Sequence, residues 1–274
     1  MSVVLLPSRW RRQPQCPVEL DLSHPLTQGL IYAGMLTGPD AGAQMRNYCT
    51  QSRATMTGTS WASADDTLAM KFNGTSDFAQ HVLDLSPWPV VTVSFWLWWD
   101  AFGTDNKCAI SYHTETASYN GMFLNCNPLA NKSQWVLSAP AGKYQTERFD
   151  CPTAAAWHHW SASFDRSLTG FQIRSIYIDA ELPTNRITIS NTITTSTTWE
   201  NSSLLVGKAV SGGTSFWAAG RMRNLMIHSR QLTQQDTKAL YREPWGMVRP
   251  IRSRIYSLPA AAASGSSFRY YMAT

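Results

Sequence analysis

Apolar and polar positions alternate in short runs along most of the chain, and a period of two predicts β-strands. In the run from residue 90 to residue 100, one face carries large apolar side chains, which are Val91, Val93, Phe95, Leu97 and Trp99. The other face carries Thr92 and Ser94, and also Trp96 and Trp98. We therefore expect a central strand whose sheet is covered on both sides. The second cover would come from the chain's own arms or from neighbouring subunits.

Shorter runs of the same kind predict further strands on both sides of this one. They are Val18 to Leu22, Leu30 to Tyr32, Leu68 to Phe72, Phe78 to Leu83, Cys108 to Tyr112, Met122 to Asn125, Trp135 to Ser138, Tyr144 to Phe149, Trp157 to Asp165, Phe171 to Asp179, Ile187 to Ile193, Ser203 to Val206 and Met222 to His228. In one of them the alternation changes phase near Arg174, which indicates a β-bulge.

One helix is predicted, late in the chain. Thr233 is its N-cap, Asp236 takes the place of the capping-box acid, and Pro244 follows its end. About a dozen strands followed by one short helix predict an all-β sandwich.

Several motifs, taken in order, are similar to those of laminin-G-like domains. They are Phe72-Asn-Gly-Thr-Ser-Asp77, the strand Val91 to Trp99, Trp157-His158-His159, Phe164-Asp165, Ile176-Tyr-Ile-Asp179, Val206-Gly207, Gly220, and Arg230-Gln-Leu232 before the helix. The resemblance spans roughly residues 68 to 241 and implies a concanavalin A-like jelly-roll β-sandwich. Ala180 stands where that family usually has glycine, so we expect this turn to avoid a positive φ.

The flanks of this region carry a second resemblance. Pro17 to Leu30 and Leu240 to Pro250 look like segments that bracket such domains in structural proteins of tailed bacteriophages. This resemblance implies a non-enzymatic virion structural protein, either a capsid decoration or a head or tail accessory protein. Its partners would be other virion proteins and copies of itself, and it would be located in the virion.

Charge divides the chain into an N-terminal arm (residues 1–17), a body (18–246) and a C-terminal arm (247–274). Residues 1–17 carry a net +3 and residues 242–274 a net +4, which leaves −2 for residues 18–241. The slightly negative charge of the body argues against nucleic-acid binding by the body. For the basic arms, contact with nucleic-acid phosphate and a merely solvated tail stay open as alternatives to protein contact. Arginine, tryptophan and tyrosine are enriched at protein interfaces. The expected partner-binding residues are Arg9, Trp10, Arg11, Arg12, Trp245, Arg249, Ile251, Arg252, Arg254, Ile255 and Tyr256.

Cysteine usage and the N-terminus indicate folding in a bacterial host's cytoplasm. The five cysteines form no Cys-x-x-Cys pair, so zinc is not expected, and free thiols are predicted with one or two disulfides as the alternative. The apolar stretch before Pro7 is too short for a signal-peptide core, and no segment is long enough to span a membrane.

Two kinds of ligand are considered for the loops. Calcium is the one cofactor considered, because Asp77, Asp165 and Asp179 lie at strand ends where loops converge; the alternative is that each caps a turn. The second ligand is glycan, for example on a host surface, which would stack on aromatic side chains in loops. The alternative is that these aromatic side chains fold onto the sandwich. The candidates are Trp61, Trp88, Trp199 and Trp217.

Catalytic chemistry is not expected. Glycoside hydrolysis needs a carboxylate pair, and a Glu-x-Asp-x-x-Glu run starts only at Glu19, where His24 occupies the last position. His158 is expected to be buried and hydrogen-bonded, and it cannot share one metal with His159 because neighbours on a strand point to opposite faces. Three hypotheses follow: a non-enzymatic virion structural protein anchored by its arms, a lectin-like protein for host attachment, and, third, a polysaccharide hydrolase.

Overall fold

The computed structural model describes residues 13–14, 18–34, 44–64, 67–101, 107–113, 121–127, 131–139, 142–170, 172–197, 199, 202–211 and 214–251. In this part of the chain the strands are β1 Val18–Leu20, β2 Leu30–Gly34, β3 Gln44–Arg46, β4 Arg53–Thr57, β5 Ser60–Ala64, β6 Thr67–Asn73, β7 Phe78–Leu83, β8 Val90–Trp99, β9 Lys107–His113, β10 Gly121–Asn127, β11 Lys132–Ala139, β12 Lys143–Asp150, β13 Trp157–Asp165, β14 Ile173–Ile178, β15 Ile187–Asn191, β16 Ser202–Val206, β17 Lys208–Ser211, β18 Thr214–Trp217, β19 Ala219–His228 and β20 Val248–Pro250. The α-helix is α1, Gln234–Arg242.

Two antiparallel sheets pack face to face, which confirms the predicted all-β sandwich. The larger sheet has nine strands in the order β15-β12-β11-β10-β9-β16-β7-β4-β3. The smaller sheet has seven, in the order β14-β13-β8-β19-β6-β5, with β2 beside β19. As predicted, β8 is central, since it pairs with β13 along one edge and β19 along the other.

The core lies between the sheets and contains the predicted apolar stripe of β8. Phe95 meets Trp135 of the larger sheet, with 6.3 Å between ring centroids, and Trp135 meets Phe164 at 5.5 Å. All three rings are fully buried. Burial of each such side chain stabilises the fold by about 1.5–3 kcal/mol, so the alternation read from the sequence identifies the main source of stability.

Two of the motif glycines have specific structural roles. Gly207 has φ +84°, and a Cβ there would lie 2.3 Å from Cδ1 of Phe72. At Gly220, where β19 approaches β8, a Cβ would lie 2.1 Å from the backbone oxygen of Trp98. A larger residue at Gly220 would require movement of β8, and one at Gly207 would require movement of the Phe72 ring and a strained backbone.

The predicted bulge is confirmed, and the prediction for Ala180 is wrong. The β13–β14 register shifts at Ser163, so that Arg174 is the extra residue. Asp179 and Ala180 have φ of 53° and 66°, so the turn keeps the left-handed conformation without glycine. Asp179 holds it in place, since its Oδ1 accepts a hydrogen bond from the backbone N–H of His159 at 2.9 Å.

The end of the body extends beyond the predicted boundary at residue 246. Strand β20 pairs with β1, Val18 lying opposite Pro250. Met247 and Val248 are buried in a second apolar cluster together with Val18. Residues 247–250 therefore belong to the body, because they complete a two-stranded ribbon and its small core.

The predicted helix is confirmed, including its capping box. The Thr233 side chain accepts a hydrogen bond from the backbone N–H of Asp236 at 3.1 Å, and the Asp236 side chain accepts one from the backbone N–H of Thr233 at 3.0 Å. The helix ends at Arg242, just before Pro244. It leads directly into the segment that reaches β20.

Candidate functional site

The outer face of the seven-stranded sheet carries rows of aromatic and cationic side chains. In one row, Trp157 of β13 lies opposite Trp98 of β8, which lies opposite Arg221 of β19, followed by Lys71 of β6. The Arg221 guanidinium lies 5.4 Å from the centroid of the Trp98 ring. The strand period produces this row, because each of these residues points away from the core stripe.

The next row along the strands contains His159, Trp96 and Arg223. The Arg223 guanidinium lies 4.2 Å from the ring centroid of Trp157, 5.3 Å from that of Trp96 and 5.6 Å from that of Trp245. It also donates a hydrogen bond to the Thr67 hydroxyl. Such a shell of rings holds a guanidinium in one orientation by cation–π attraction.

Helix α1 covers part of this face. The Tyr241 ring stacks on Trp96, with centroids 5.4 Å apart and planes at 13°. Trp96 is 9% exposed, whereas Tyr241 is 38% exposed. Part of the expected second cover is thus supplied by the chain itself, by a helix of the body and not by a terminal arm.

A cleft of about 350 Å³ lies where the helix and the segment after it meet the sheet. Its lining combines aromatic rings with guanidinium groups. The lining residues are Thr67, Trp96, Arg223, Tyr241, Arg242, Pro244 and Trp245. Flat apolar surfaces beside a few hydrogen-bond donors are the usual composition of small-ligand sites.

A neutral, buried histidine lies beside the cleft. His159 is 1% exposed and its Nε2 hydrogen-bonds with the Ser94 hydroxyl at 2.9 Å. Burial lowers the pKa of His159 to about 4, because the low-polarity surroundings disfavour the imidazolium. The prediction that His158 is buried is wrong, because His158 is only half-buried, but it is hydrogen-bonded as predicted, with its Nδ1 2.6 Å from Oδ2 of Asp179.

Two tryptophans proposed as binding residues are part of the core instead. Trp199 is 2% exposed, with its ring 5.7 Å from Tyr112 and with the Arg166 guanidinium 4.4 Å from its centroid. It has no open face on which a sugar could stack. Trp245 is 1% exposed and packs inside the second apolar cluster, so it cannot anchor the chain to a partner as predicted.

The other predicted glycan-binding residues lie apart from the cleft. Trp61 on β5 and Trp88, in the turn before β8, are half-buried and pack against the main core. Trp217 is half-buried at the end of β18. Its ring centroid lies 6.0 Å from that of Phe78 and 5.1 Å from Nζ of Lys208, so its neighbours already occupy much of its surface.

Two of the three aspartates considered for calcium, Asp77 and Asp165, bind their own turn, whereas Asp179 binds the start of β13. Asp77 accepts hydrogen bonds from the backbone of Asn73 and Asp165 from the backbone of Ser167, at 3.0 and 3.1 Å. Asp179 is engaged by the two histidines. Across the described ranges, three or more His, Cys, Asp or Glu side chains are nowhere grouped as they would be around a metal ion. Calcium binding stays an untested prediction.

Most of the residues predicted to bind partners lie outside the described residues: Arg9, Trp10, Arg11, Arg12, Arg252, Arg254, Ile255 and Tyr256. Of the others, Arg249 pairs with Glu19 at 2.9 Å within the β1–β20 ribbon. Ile251, the last described residue, is 49% exposed. The cysteines that the structure describes, Cys49, Cys108, Cys126 and Cys151, are free thiols.

The sequence does not predict the cleft as a site, although it carries part of the signal. The alternation in β8 predicts a covered outer face that carries Trp96 and Trp98, and the same alternation places Arg221 and Arg223 on the outer face of β19. The helical residues Tyr241 and Arg242 carry no comparable signal, because their approach to Trp96 depends on how α1 packs.

Comparison with known proteins identifies the family. A laminin-G family model, described as the Concanavalin A-like lectin/glucanases superfamily, matches residues 55–238. The chain belongs to this family. No curated protein matches it.

Solved structures share the fold at low sequence identity. One is a binding domain of Botulinum Neurotoxin DC in complex with SialylT, with a TM-score of 0.57, 9% identity and coverage of 79% of this chain and 52% of that one. Another is the binding domain of Botulinum Neurotoxin serotype G, with a TM-score of 0.55, 15% identity and coverage of 77% and 50%. A third is the Trypanosoma rangeli sialidase in complex with sialic acid, with a TM-score of 0.60, 12% identity and coverage of 80% and 33%. The chain spans about half the length of the toxin domains and a third of the sialidase.

In the described part of the chain, no helix has the length and apolar character required to cross a membrane.

Proposed function

We propose that the protein is a non-enzymatic carbohydrate-binding module and that the cleft beside α1 receives the sugar. The observation that carries this proposal is the stacked pair of Trp96 and Tyr241 in a cleft of about 350 Å³, where Tyr241, the outer residue, is 38% exposed. An exposed ring offers the apolar face of a pyranose a flat surface, and the neighbouring arginines supply donors for its hydroxyl groups.

Fold and family support this choice of ligand. The family description includes lectins, and solved structures of the same fold include a toxin binding domain in complex with SialylT and a sialidase in complex with sialic acid. In a virion, such a module would attach the particle to glycan on the host surface.

The absence of enzymatic activity is part of the proposal. Hydrolysis of a glycosidic bond uses two carboxyl groups that flank the bond, and no Asp or Glu is among the described residues that line the cleft. Glu147 is 3% exposed and lies elsewhere, on β12. It accepts hydrogen bonds from Gln145, Thr188 and Arg186.

The test removes the exposed ring. Tyr241→Ala in the full chain is expected to lower affinity for the glycans that the wild type selects on an array. A stacked aromatic contact contributes about 0.5–1.5 kcal/mol, which is roughly a two- to tenfold rise in Kd. Tyr144→Ala is the matched control, since Tyr144 is 43% exposed on β12 and does not line the cleft. Equal binding by both variants, with unchanged circular dichroism, would contradict the assigned site.

A virion structural role is the second candidate function, and it is compatible with the first. The flanks that resemble phage proteins pair with each other as β1 and β20, and this ribbon places the starts of both terminal segments side by side. Two segments that leave from one place are suited to hold the body on a neighbouring virion protein.

This role is tested by particle incorporation. An antibody against the body is expected to label purified phage particles in micrographs. The full chain is expected to incorporate, and chains that lack residues 1–12 or 252–274 are expected to remain folded but to stay out of particles. Incorporation of both shortened chains would refute anchoring by the arms.

A further inference from the structure

The charge of the cleft differs from that of the body around it. Residues 18–241 contain 15 Lys or Arg and 17 Asp or Glu. Yet the cleft is lined by Arg223 and Arg242, without a described acidic residue. The adjacent row on the sheet adds Arg221 and the exposed Lys71. Positive charge is therefore concentrated at this site on an otherwise slightly acidic body.

The two arginines of the lining occupy different depths. Arg223 is 8% exposed and lies at the base among the rings of Trp96, Trp157 and Trp245. Arg242 is exposed at the rim, in the last turn of α1. None of the carboxylates described in the structure forms an ion pair with Arg242. The rim guanidinium is free to meet a ligand.

On the basis of the carbohydrate-binding role, we propose that the cleft selects glycans that carry an oxyanion, either a carboxylate or a phosphate group. Arg242 binds the anionic group, and the sugar ring lies on Tyr241. A guanidinium donates two parallel N–H bonds to such a group. The positive potential of Arg223 below adds to the attraction, because charges interact more strongly where water is partly excluded.

A neutral sugar fits this surface less well. Covering the rim with a neutral ring would remove water from Arg242 and return only weaker hydrogen bonds to hydroxyl groups. Both the attraction of an anion to the arginines and the cost of removing water from Arg242 therefore favour acidic over neutral saccharides.

The experiment measures binding of the full chain to three probes by calorimetry. They are a galacturonic acid tetrasaccharide, its fully methyl-esterified form, and mannose 6-phosphate. The ester lacks the negative charges of the acid and adds only a methyl group at each carboxyl, while the phosphate separates a carboxylate-specific site from a general oxyanion site. We expect the acid to bind at least tenfold more tightly than the ester, and its affinity to fall as salt rises.

Arg242→Gln is expected to weaken binding of the acid roughly 10- to 100-fold, as for the loss of a charge-assisted hydrogen bond, and to leave the ester unaffected. Arg174→Gln is the control, because it removes the same charge from an exposed position on β14. Equal affinity for acid and ester, with a loss on Tyr241→Ala, would overturn the anion selectivity and leave the carbohydrate-binding role intact. No binding of any of the three probes, with binding of neutral glycans alone on the array, would also overturn the selectivity alone. No binding of any glycan would overturn both proposals.

Discussion

Neighbouring residues of one strand meet very different surroundings in this protein. His158 and His159 are adjacent at the start of β13, yet His159 is closed off under α1 while His158 pairs with Asp179 near the surface. Buried neutral histidines make the stability of a protein sensitive to acid, because the unfolded chain binds protons that the folded chain does not bind.

The pH dependence of stability follows from two such histidines. Burial lowers the pKa of both His159 and His228 to about 4, against an ordinary value of 6.5. Between these two values the unfolded state binds more protons. The free energy of unfolding is therefore expected to be highest above pH 6.5 and to fall as the pH drops towards 4, by at most about 1.4 kcal/mol per pH unit for each histidine.

Urea denaturation from pH 7.5 to pH 5 measures this effect. His159→Gln keeps a partner for the Ser94 hydroxyl but cannot be protonated, so its stability is expected to change less steeply with pH than that of the wild type. Identical slopes for the two proteins would show that the pKa of His159 does not differ between the folded and unfolded states.

The histidine pair also shows where residue-level prediction fails. The core stripe of β13, which contains Trp160 and Phe164, continues to His158 by alternation, and this led to the expectation that His158 is buried. The strand, however, begins near the edge of the sandwich, while α1 buries the opposite face at His159. Alternation identifies the face of a strand but not what covers its end.

At the scale of elements, β19 positions the candidate site. Its first half pairs with β6 and its second half with β2, while β8 runs along its other edge. The register with β8 shifts around Asn224, whose φ is 50°. This bulge lies directly after Arg223. The sequence predicted the strand from residue 222 to residue 228 but not the bulge, because Asn224 has no local signal apart from its tolerance of a positive φ.

Helix α1 links stability to the candidate site, because it carries both Tyr241 and Arg242. Thr233→Ala removes one half of the capping box and is expected to lower the free energy of unfolding by about 1 kcal/mol. Thr233→Ser is the matched control and should retain most of the cap. Urea midpoints of the three proteins test this; an unchanged midpoint for the alanine variant would mean that packing alone holds the helix.

At the scale of the molecule, the sequence predicted the fold well and the candidate site only in part. The sandwich follows from alternation, which is a local property. The cleft, by contrast, depends on a contact between distant parts of the sequence, because α1 from near the end of the chain packs on Trp96 of β8. Trp245 illustrates what a local pattern cannot predict. Its neighbourhood of arginine and proline is typical of a partner-binding segment, but Trp245 is buried in the body of its own chain.

Shortening the chain tests where the body ends. A chain that stops at Ile251 is expected to unfold at the same urea concentration as the full chain. One that stops at Gly246 loses Met247 and Val248, both at most 2% exposed, and with them about 1.5–3 kcal/mol for each buried side chain. The same midpoint for both shortened chains would argue that the β1–β20 ribbon contributes nothing to stability.

The ribbon has one more consequence. Since Val18 and Pro250 face each other across it, the chain passes into and out of the ribbon at neighbouring points. A unit with adjoining ends can be spliced as a guest into a surface loop of another polypeptide with little strain, and its ends can be joined and reopened elsewhere as a circular permutant.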